Sequence, residues 1–143
     1  MKTLGLDLGT RTLGIAISDA LGLMAHGVET YRFKENHYKT AITYVQELVK
    51  KQMVSKIVLG FPKNMNGTIG ERGTVTQNFA QKLKEATGVP VILWDERLTT
   101  MQVQRVLIAA DVSRHKRKAV VDKMAATVIL QSYIDSNSGV SNP

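Results

Sequence analysis

The sequence has 143 residues, a length typical of one domain with its own hydrophobic core. Its 43% hydrophobic and 22% charged residues exclude a disordered or fibrous chain, and the lack of cysteine excludes disulfides and thiolate metal sites. The 19 Lys and Arg against 12 Asp and Glu give a net charge of +7, which favours a nucleic acid as partner.

No apolar run is long enough to cross a bilayer, and Asp7 and Arg11 interrupt the apolar N-terminus. We therefore expect a cytoplasmic protein without a membrane partner. A single domain is expected over 1–136. The segment 137–143 is small, polar and aperiodic, and is expected to be a disordered tail.

The first part of the chain alternates apolar residues with small or polar ones, which is the pattern of β-strands. Strands are predicted over 3–8 and 13–18, and the segment GTRT forms the turn between them. A third extended segment is predicted over about 23–32. Together these segments predict an antiparallel meander of three strands.

After the meander, apolar residues recur at helical spacing, and two short apolar runs are typical of buried strands. A meander followed by β-α-β crossovers predicts an α/β fold, a five-stranded mixed sheet of the antiparallel meander plus two parallel strands, with helices on both faces. The first strand and the strand after the first helix are then parallel neighbours. The predicted elements are a helix with a stripe from Tyr38 to Val49, a strand over 56–61, a helix with a stripe from Val75 to Ala86 ended by Gly88 and Pro90, a strand over 89–94, a helix that starts at a capping box of Thr99 and Gln102, and a last helix over about 118–134.

The first predicted strand carries an acidic residue, Asp7, on a face that is otherwise made of small residues. Because glycine within a strand weakens it, we expect another element to approach this face closely. The last helix has a small-residue face around Asp122, and packing of the two faces would bring Asp122 toward Asp7. The small residues are Gly5, Gly9, Gly14, Ala16 and Ser18 in the strands, and Ala119, Ala125 and Ala126 in the helix.

A third acidic position follows the strand over 89–94, in the segment WDERLTT. Asp95 and Glu96 come at the carboxyl end of that strand, where ligand sites gather in open α/β sheets. Successive residues point to opposite sides, so only one of the two is expected to face the site, and strand alternation argues against Asp95. Clustered carboxylates repel each other unless a cation lies among them. The pattern predicts Mg²⁺ or Mn²⁺ and metal-dependent hydrolysis of nucleic acid.

Four segments carry a family resemblance: LGLDLGTRTLGIAISD, IVLGFPKNMNGTIGERG, LWDERLTT and RHKRKAVVDKMAATVIL. They resemble the bacterial RuvX/YqgF family, which is related to the RuvC resolvases within the RNase H-like superfamily. The family is described as Holliday junction resolvases and as nucleases that mature the 5′ end of pre-16S ribosomal RNA. The resemblance implies an RNase H-like fold with Asp7, Glu96 and Asp122 as catalytic and metal-binding acids. RuvC-type resolvases often carry another acid where this chain has Ala125, which leaves open whether one or two metal ions bind.

Basic residues flank the predicted acids along the chain. The loop GFPKNMNGTIGERG leads into a helix and suits a phosphate, although Asn66-Gly67 is equally typical of a plain turn. The run RHKRK is predicted to be a basic loop before the last helix that holds substrate phosphates. Aromatic residues, 6% of the chain, are scattered along it, so stacking on single-stranded bases is not expected. The predicted nucleic-acid-binding residues are Arg11, Lys63, Arg72, Arg97, Arg114, His115, Lys116, Arg117 and Lys118.

The substrate stays open at this point. Processing of pre-16S ribosomal RNA is the leading hypothesis, and the alternatives are a Holliday junction resolvase in DNA recombination or repair and a non-catalytic nucleic-acid-binding module. Structured RNA and branched DNA are thus both candidate partners, and the chain is a monomer or a homodimer. The segment DLGTRTLG also resembles the first phosphate loop of the actin, Hsp70 and sugar-kinase superfamily. That architecture needs two such domains, and no further Asp-x-Gly occurs after residue 20.

Overall fold

The computed structural model describes residues 2–64, 66–95 and 114–137, the side chains of 114–123 and 137 excepted. The predicted helix at Thr99 and Gln102 and the tail beyond residue 137 lie outside the described residues. The elements are β1 (Lys2–Leu8), β2 (Thr12–Ser18), β3 (Ala25–Arg32), α1 (Tyr38–Gln52), β4 (Val54–Phe61), α2 (Glu71–Thr87), β5 (Val91–Asp95) and α3 (Arg114–Asn137).

Five strands of the described chain form one mixed sheet in the order β3-β2-β1-β4-β5. β1, β2 and β3 are antiparallel neighbours, whereas β4 runs parallel to both β1 and β5. This arrangement confirms the predicted α/β fold, including the parallel pairing of the first strand with the strand after the first helix. The carboxyl ends of β1, β4 and β5 meet at one edge of the sheet, which we call the carboxyl edge; it contains Asp7, Leu8, Phe61 and Asp95.

α1 and α2 cover one face of the sheet and enclose the larger hydrophobic core. Alternation on the strands sends Leu6 and Ile15 into this core, where both are fully buried. α2 ends at Gly88, as predicted, because Gly88 adopts a left-handed φ of 74° and its N–H bonds to the carbonyl oxygen of Lys84.

α3 covers the opposite face and packs closely on the small residues of β1. A Cβ atom added to Gly5 would lie 2.7 Å from the Cβ of Leu130 and 3.0 Å from the carbonyl oxygen of Ala126. The expected approach of another element to the Gly-rich face is therefore confirmed, and the element is the last helix. Ala125 and Ala126 are fully buried there.

α3 runs antiparallel to β1. Its C-terminal half lies near the amino ends of the strands, where Tyr133 Oη accepts a hydrogen bond from Lys56 Nζ at 2.9 Å and Gln131 Oε1 accepts one from the Ala25 N–H at 2.8 Å. The N-terminal half of α3 therefore extends toward the carboxyl edge. Within the described ranges, no helix has the length and hydrophobicity that a membrane span requires.

The predicted start of the last helix near residue 118 is wrong. α3 already includes Arg114, so the run RHKRK belongs to its first described turns and is not a loop before it. Lys and Arg are good helix formers, and the helix therefore extends beyond the apolar stripe that revealed it in the sequence.

Candidate active site at the carboxyl edge

Asp7 lies at the carboxyl edge, one residue before the end of β1, and its side chain is half-buried. It is paired in register with Gly14 of β2, as Gly5 is paired with Ala16. Since side chains alternate along a strand, Asp7 shares the face of Gly5, which α3 covers. The neighbouring glycines and alanine leave room for α3 to approach close to the Asp7 carboxylate.

The turn after Asp7 is fixed by backbone hydrogen bonds from the loop between β3 and α1. The Phe33 N–H bonds to the carbonyl oxygen of Arg11 at 2.9 Å, and the Asn36 N–H bonds to that of Thr10, also at 2.9 Å. Both bonds join backbone atoms, so they do not depend on the identity of the side chains. They fix the position of the end of β1, and a side chain that binds a metal or substrate must be held in such a fixed position.

Arg72, at the start of α2, also contacts the end of β1. Its guanidinium donates a hydrogen bond to the carbonyl oxygen of Leu8 at 3.2 Å and another to Tyr38 Oη at 3.1 Å. Two of its N–H groups are therefore used within the protein, on the face covered by α1 and α2. Arg72 ties α1 and α2 to the strand that carries Asp7.

The alternation of β5 shows on which face of the sheet its last residue, Asp95, lies. Ile92 and Trp94 pack in the core beneath α3, whereas Val91 packs in the core beneath α1 and α2. Asp95 pairs with Phe61, alternates with Trp94 and is exposed, so it belongs to the face away from Asp7. Glu96, the next residue, lies outside the described residues.

Asp122 is part of α3, four residues before Ala126. Of the three predicted acids, only Asp7 has a described side chain. Among the side chains that the structure describes, no three His, Cys, Asp or Glu residues form a group that would hold a metal ion. Neither Glu96 nor Asp122 is among these described side chains.

The loop between β4 and α2 contains residues that were predicted to hold phosphate. Thr68 donates its N–H to Asn66 Oδ1 at 3.1 Å, and Asn64 donates from Nδ2 to Thr68 Oγ1 at 2.9 Å. Gly67, with a φ of 87°, donates its N–H to the carbonyl oxygen of Asn64 at 2.8 Å. The asparagine side chains therefore stabilise the turn itself.

Lys63 Nζ lies 5.8 Å from the centroid of the Phe61 ring at the carboxyl edge.

The remaining residues predicted to contact nucleic acid are Arg11, Arg97 and the five residues of RHKRK. Arg11 forms an ion pair with Glu35 at 3.3 Å, and both side chains are largely exposed (68% and 54%), so the pair contributes little stability. Arg97 lies outside the described residues. The five residues of RHKRK lie on α3, on the N-terminal side of Asp122.

Several of the aromatic residues, although scattered along the sequence, contact each other in the folded chain. Tyr31 and Tyr44 stack with ring centroids 4.0 Å apart and planes 12° from parallel. Tyr38 makes edge contacts with Phe33 and with Phe79, at centroid distances of 5.9 and 6.1 Å. These residues come from β3, α1 and α2 and from the loop before α1, so no spacing in the sequence indicates their contact.

A mixed sheet in this order, with an acid near the end of its first strand and the last helix packed over that strand, is the RNase H-like fold of the RuvC resolvases. The RuvC of Thermus thermophilus, solved in complex with a Holliday junction substrate, has this fold, with a TM-score of 0.60 and 16% identity over 97% of each chain. The RNase H-like fold predicted from the sequence is therefore confirmed.

The model of the family RuvX, Holliday junction resolvase, matches residues 1–136, and the chain belongs to this family. A Bacillus subtilis (strain 168) relative named "Putative pre-16S rRNA nuclease" is 57% identical over 136 residues, 95% of this chain and 99% of the relative. The family match and the relative's name confirm the prediction of a nuclease, a hydrolase that acts on phosphodiester bonds.

A likeness of fold also extends to a larger protein. A ROK family protein from Streptococcus pneumoniae TIGR4, solved with sucrose, has a TM-score of 0.51 and 16% identity, and the match covers 78% of this chain and 39% of that one. The likeness is one of fold alone, and it spans less than half of the larger protein.

Proposed function

We propose that this protein is a divalent-metal-dependent nuclease that processes the 5′ end of pre-16S ribosomal RNA at the carboxyl edge. The observation that carries the proposal is the close, antiparallel packing of α3 on β1 at Gly5. From Gly5, Asp7 lies about 7 Å further along β1, at about 3.3 Å per residue. From Ala126, Asp122 lies about 6 Å in the same direction, at about 1.5 Å per residue. The matching displacements support convergence of the two acids.

Glu96 would complete the set of ligands. The alternation of β5 favours Glu96 over Asp95 on the face of Asp7, because Trp94 packs on that face. Three carboxylates fit a hard cation such as Mg²⁺ or Mn²⁺, which prefers oxygen ligands and is often shared with substrate phosphates. When bound, such an ion lowers the pKa of a water molecule and stabilises the charge that develops on the phosphate.

The chain's own cations would hold the substrate strand beside these acids. Because α3 runs antiparallel to β1, its residues before Asp122 extend past the carboxyl edge. Arg114 lies eight residues before Asp122, or about 12 Å along the helix axis. The run RHKRK would thus contact phosphates next to the one that is cleaved, while Lys63 contributes a positive charge from the end of β4.

We propose RNA as the substrate because the Bacillus subtilis relative is named a pre-16S rRNA nuclease. A four-way DNA junction is the alternative substrate. The test is incubation of the purified protein, in Mg²⁺ or Mn²⁺, with a 5′-extended 16S RNA fragment and with a DNA junction. We expect cleavage of the RNA near the mature 5′ end by the wild type and none by Asp7→Asn. Asp95→Asn removes the same charge on the other face of the sheet and should cleave like the wild type.

Two results would contradict the proposal. Equal binding of RNA by the wild type and Asp7→Asn, with cleavage by neither, would leave a nucleic-acid-binding module without nuclease activity. Cleavage of the junction but not of the RNA would replace ribosomal RNA by branched DNA as substrate. In cells depleted of the protein, the proposal expects a 16S precursor with an untrimmed 5′ end.

A further inference from the structure

A cleft of about 790 Å³ lies between the end of β3 and the outer surface of α1 and reaches α2. Its volume is within the range of small-molecule and cofactor sites, about 300–1,000 Å³. None of the residues predicted to contact nucleic acid lines it. Its aromatic and basic lining consists of Tyr31, Tyr38, Tyr44, His37, Lys39 and Lys82.

Three tyrosines give the cleft aromatic surface in fixed positions. Tyr31 and Tyr44 stack on each other, and Tyr44 Oη also donates a hydrogen bond to Glu29. Tyr38 is held by its edge contact with Phe79 and by the Arg72 guanidinium. All three tyrosines remain partly exposed. Rings that are already held in place lose little conformational freedom when another planar group packs on them.

Two exposed lysines, Lys39 and Lys82, are the contacts that the cleft offers to an anion. Glu47 is the only acid among the described lining residues, and the nearby Glu29 carboxylate accepts the hydrogen bond of Tyr44 Oη. α1 begins at this cleft with no acidic residue in its first turn, and the side chain of His37 makes no capping hydrogen bond. The positive end of the helix adds to the charge of the two lysines.

The cleft also lies next to the carboxyl edge. Tyr38 lines the cleft and accepts a hydrogen bond from Arg72, which in turn donates to the carbonyl oxygen of Leu8, the residue after Asp7. One arginine side chain therefore separates the cleft from the strand that carries the proposed catalytic acid. The cleft lies on the face that α1 and α2 cover, and the Asp7 side chain lies on the face that α3 covers, so a nucleic-acid strand that reaches both passes around the carboxyl edge.

We infer that this cleft binds an unpaired segment of the nucleic-acid substrate, with a base stacked on the tyrosines and phosphates beside Lys39 and Lys82. The inference rests on the proposed function for the class of substrate and adds a site for a single-stranded flank. Aromatic stacking accepts any base but needs an exposed base face, which an unpaired strand offers and a duplex does not. The site therefore selects precursors in which the cleavage point adjoins unpaired nucleotides.

The first test compares the removal of two charges inside and outside the cleft. Binding of fluorescein-labelled (rU)12 and of a 12-base-pair RNA duplex is followed by anisotropy at several salt concentrations. For Lys39→Gln/Lys82→Gln, we expect weaker (rU)12 binding and a log-log salt slope that is shallower by about 1.4, at about 0.7 per phosphate contact. Lys50→Gln/Lys51→Gln carries the same charge change at the other end of α1 and should bind (rU)12 like the wild type.

The second test isolates stacking. Tyr44→Leu should weaken (rU)12 binding by about 5- to 150-fold, the range for loss of one stacked base, and should leave duplex binding unchanged. Tyr44→Phe keeps the ring and should bind (rU)12 like the wild type. Photo-crosslinking of (rU)12 that carries 5-iodouridine should give adducts with peptides containing Tyr31, Tyr38 or Tyr44, and it requires only the folded wild-type protein.

Equal effects of the two lysine pairs on (rU)12 binding would overturn the inference, as would crosslinks confined to peptides outside the cleft. These outcomes are separate from those of the cleavage assay. If the protein cleaves RNA while the cleft variants bind normally, the nuclease stands and the cleft site falls. If the cleft variants behave as expected while no substrate is cut, the binding site stands without the nuclease.

Discussion

The contact between Gly5 and α3 leads to a prediction for Gly5→Ala. The new Cβ would lie 2.7 Å from the Cβ of Leu130 and 3.0 Å from the carbonyl oxygen of Ala126. Neither atom can move away by a change of rotamer, so the helix and the strand must separate. Carbon atoms in normal contact lie about 3.5–4.0 Å apart, which requires a shift of about 1 Å.

This shift should lower both the free energy of unfolding and the rate of cleavage. Overpacking of a core costs about 1–3 kcal/mol, and replacement of a glycine in an extended strand returns about 0.4–1 kcal/mol through the unfolded state. We therefore expect the free energy of unfolding in urea to fall by about 1–2 kcal/mol. Because α3 carries Asp122, cleavage should fall further, by up to about 100-fold for a displacement of about 1 Å.

Trp94 offers a direct probe of the same displacement. It is the only tryptophan of the chain. Its Nε1 donates a hydrogen bond to Ser132 Oγ of α3 at 3.2 Å, and its ring packs edge-on against the ring of Tyr133, also in α3. Movement of α3 away from the sheet should shift the Trp94 emission of folded Gly5→Ala to longer wavelength.

The matched control is Gly88→Ala. Gly88 has a φ of 74° and no heavy atom within 4 Å of an added Cβ, so alanine there costs about 1 kcal/mol of backbone strain without displacing α3. Gly88→Ala should be destabilised and yet cleave like the wild type well below its unfolding temperature. Full stability and full cleavage in Gly5→Ala would refute the reasoning, as would an equal loss of cleavage in both variants.

Two further predictions concern charged groups. The triple variant Arg114→Gln, Lys116→Gln and Arg117→Gln should bind RNA more weakly, with a salt slope shallower by about 2–3, and an unchanged slope would remove the start of α3 from the interface. The backbone N–H of Leu23 bonds to Asp19 Oδ1 at 2.9 Å and, with other backbone hydrogen bonds, lowers the pKa of Asp19 below its usual value. Because the folded pKa lies below the unfolded one, the charged Asp19 stabilises the fold above the unfolded pKa, and this contribution is lost as the pH falls through the folded pKa. The difference in unfolding free energy between the wild type and Asp19→Asn should therefore shrink below about pH 4, and a difference independent of pH would contradict this assignment.

The sheet and the position of α3 were predictable from local patterns. Alternation in β1 and β2 separates Leu6 and Ile15 from Gly5 and Ala16, and the structure assigns the two sets to opposite faces. A glycine in the middle of a strand indicates a close neighbour, and α3 is that neighbour. The same period of two separates Asp95 from the face of Asp7.

Features that depend on contacts between distant segments were not predictable. The sequence did not reveal that RHKRK is part of the last helix, because residues that favour a helix but form no apolar stripe leave no periodic signal. The stacking of Tyr31 on Tyr44 depends on how β3 and α1 pack, which the sequence spacing does not encode. Arg72 was predicted as a phosphate contact, and its hydrogen bonds to Leu8 and Tyr38 follow from the packing of α2 at the end of β1.

We propose that Asp7, Glu96 and Asp122 together bind one divalent cation. Titration of Mn²⁺, followed by electron paramagnetic resonance, measures this directly in the wild type and in Asp7→Asn, Glu96→Gln and Asp122→Asn, with Asp95→Asn as a control of equal charge. We predict that each of the three variants raises the dissociation constant by about tenfold or more and that Asp95→Asn leaves it unchanged. Wild-type affinity in Asp7→Asn or Asp122→Asn, or equal losses in Asp95→Asn and Glu96→Gln, would contradict the shared site.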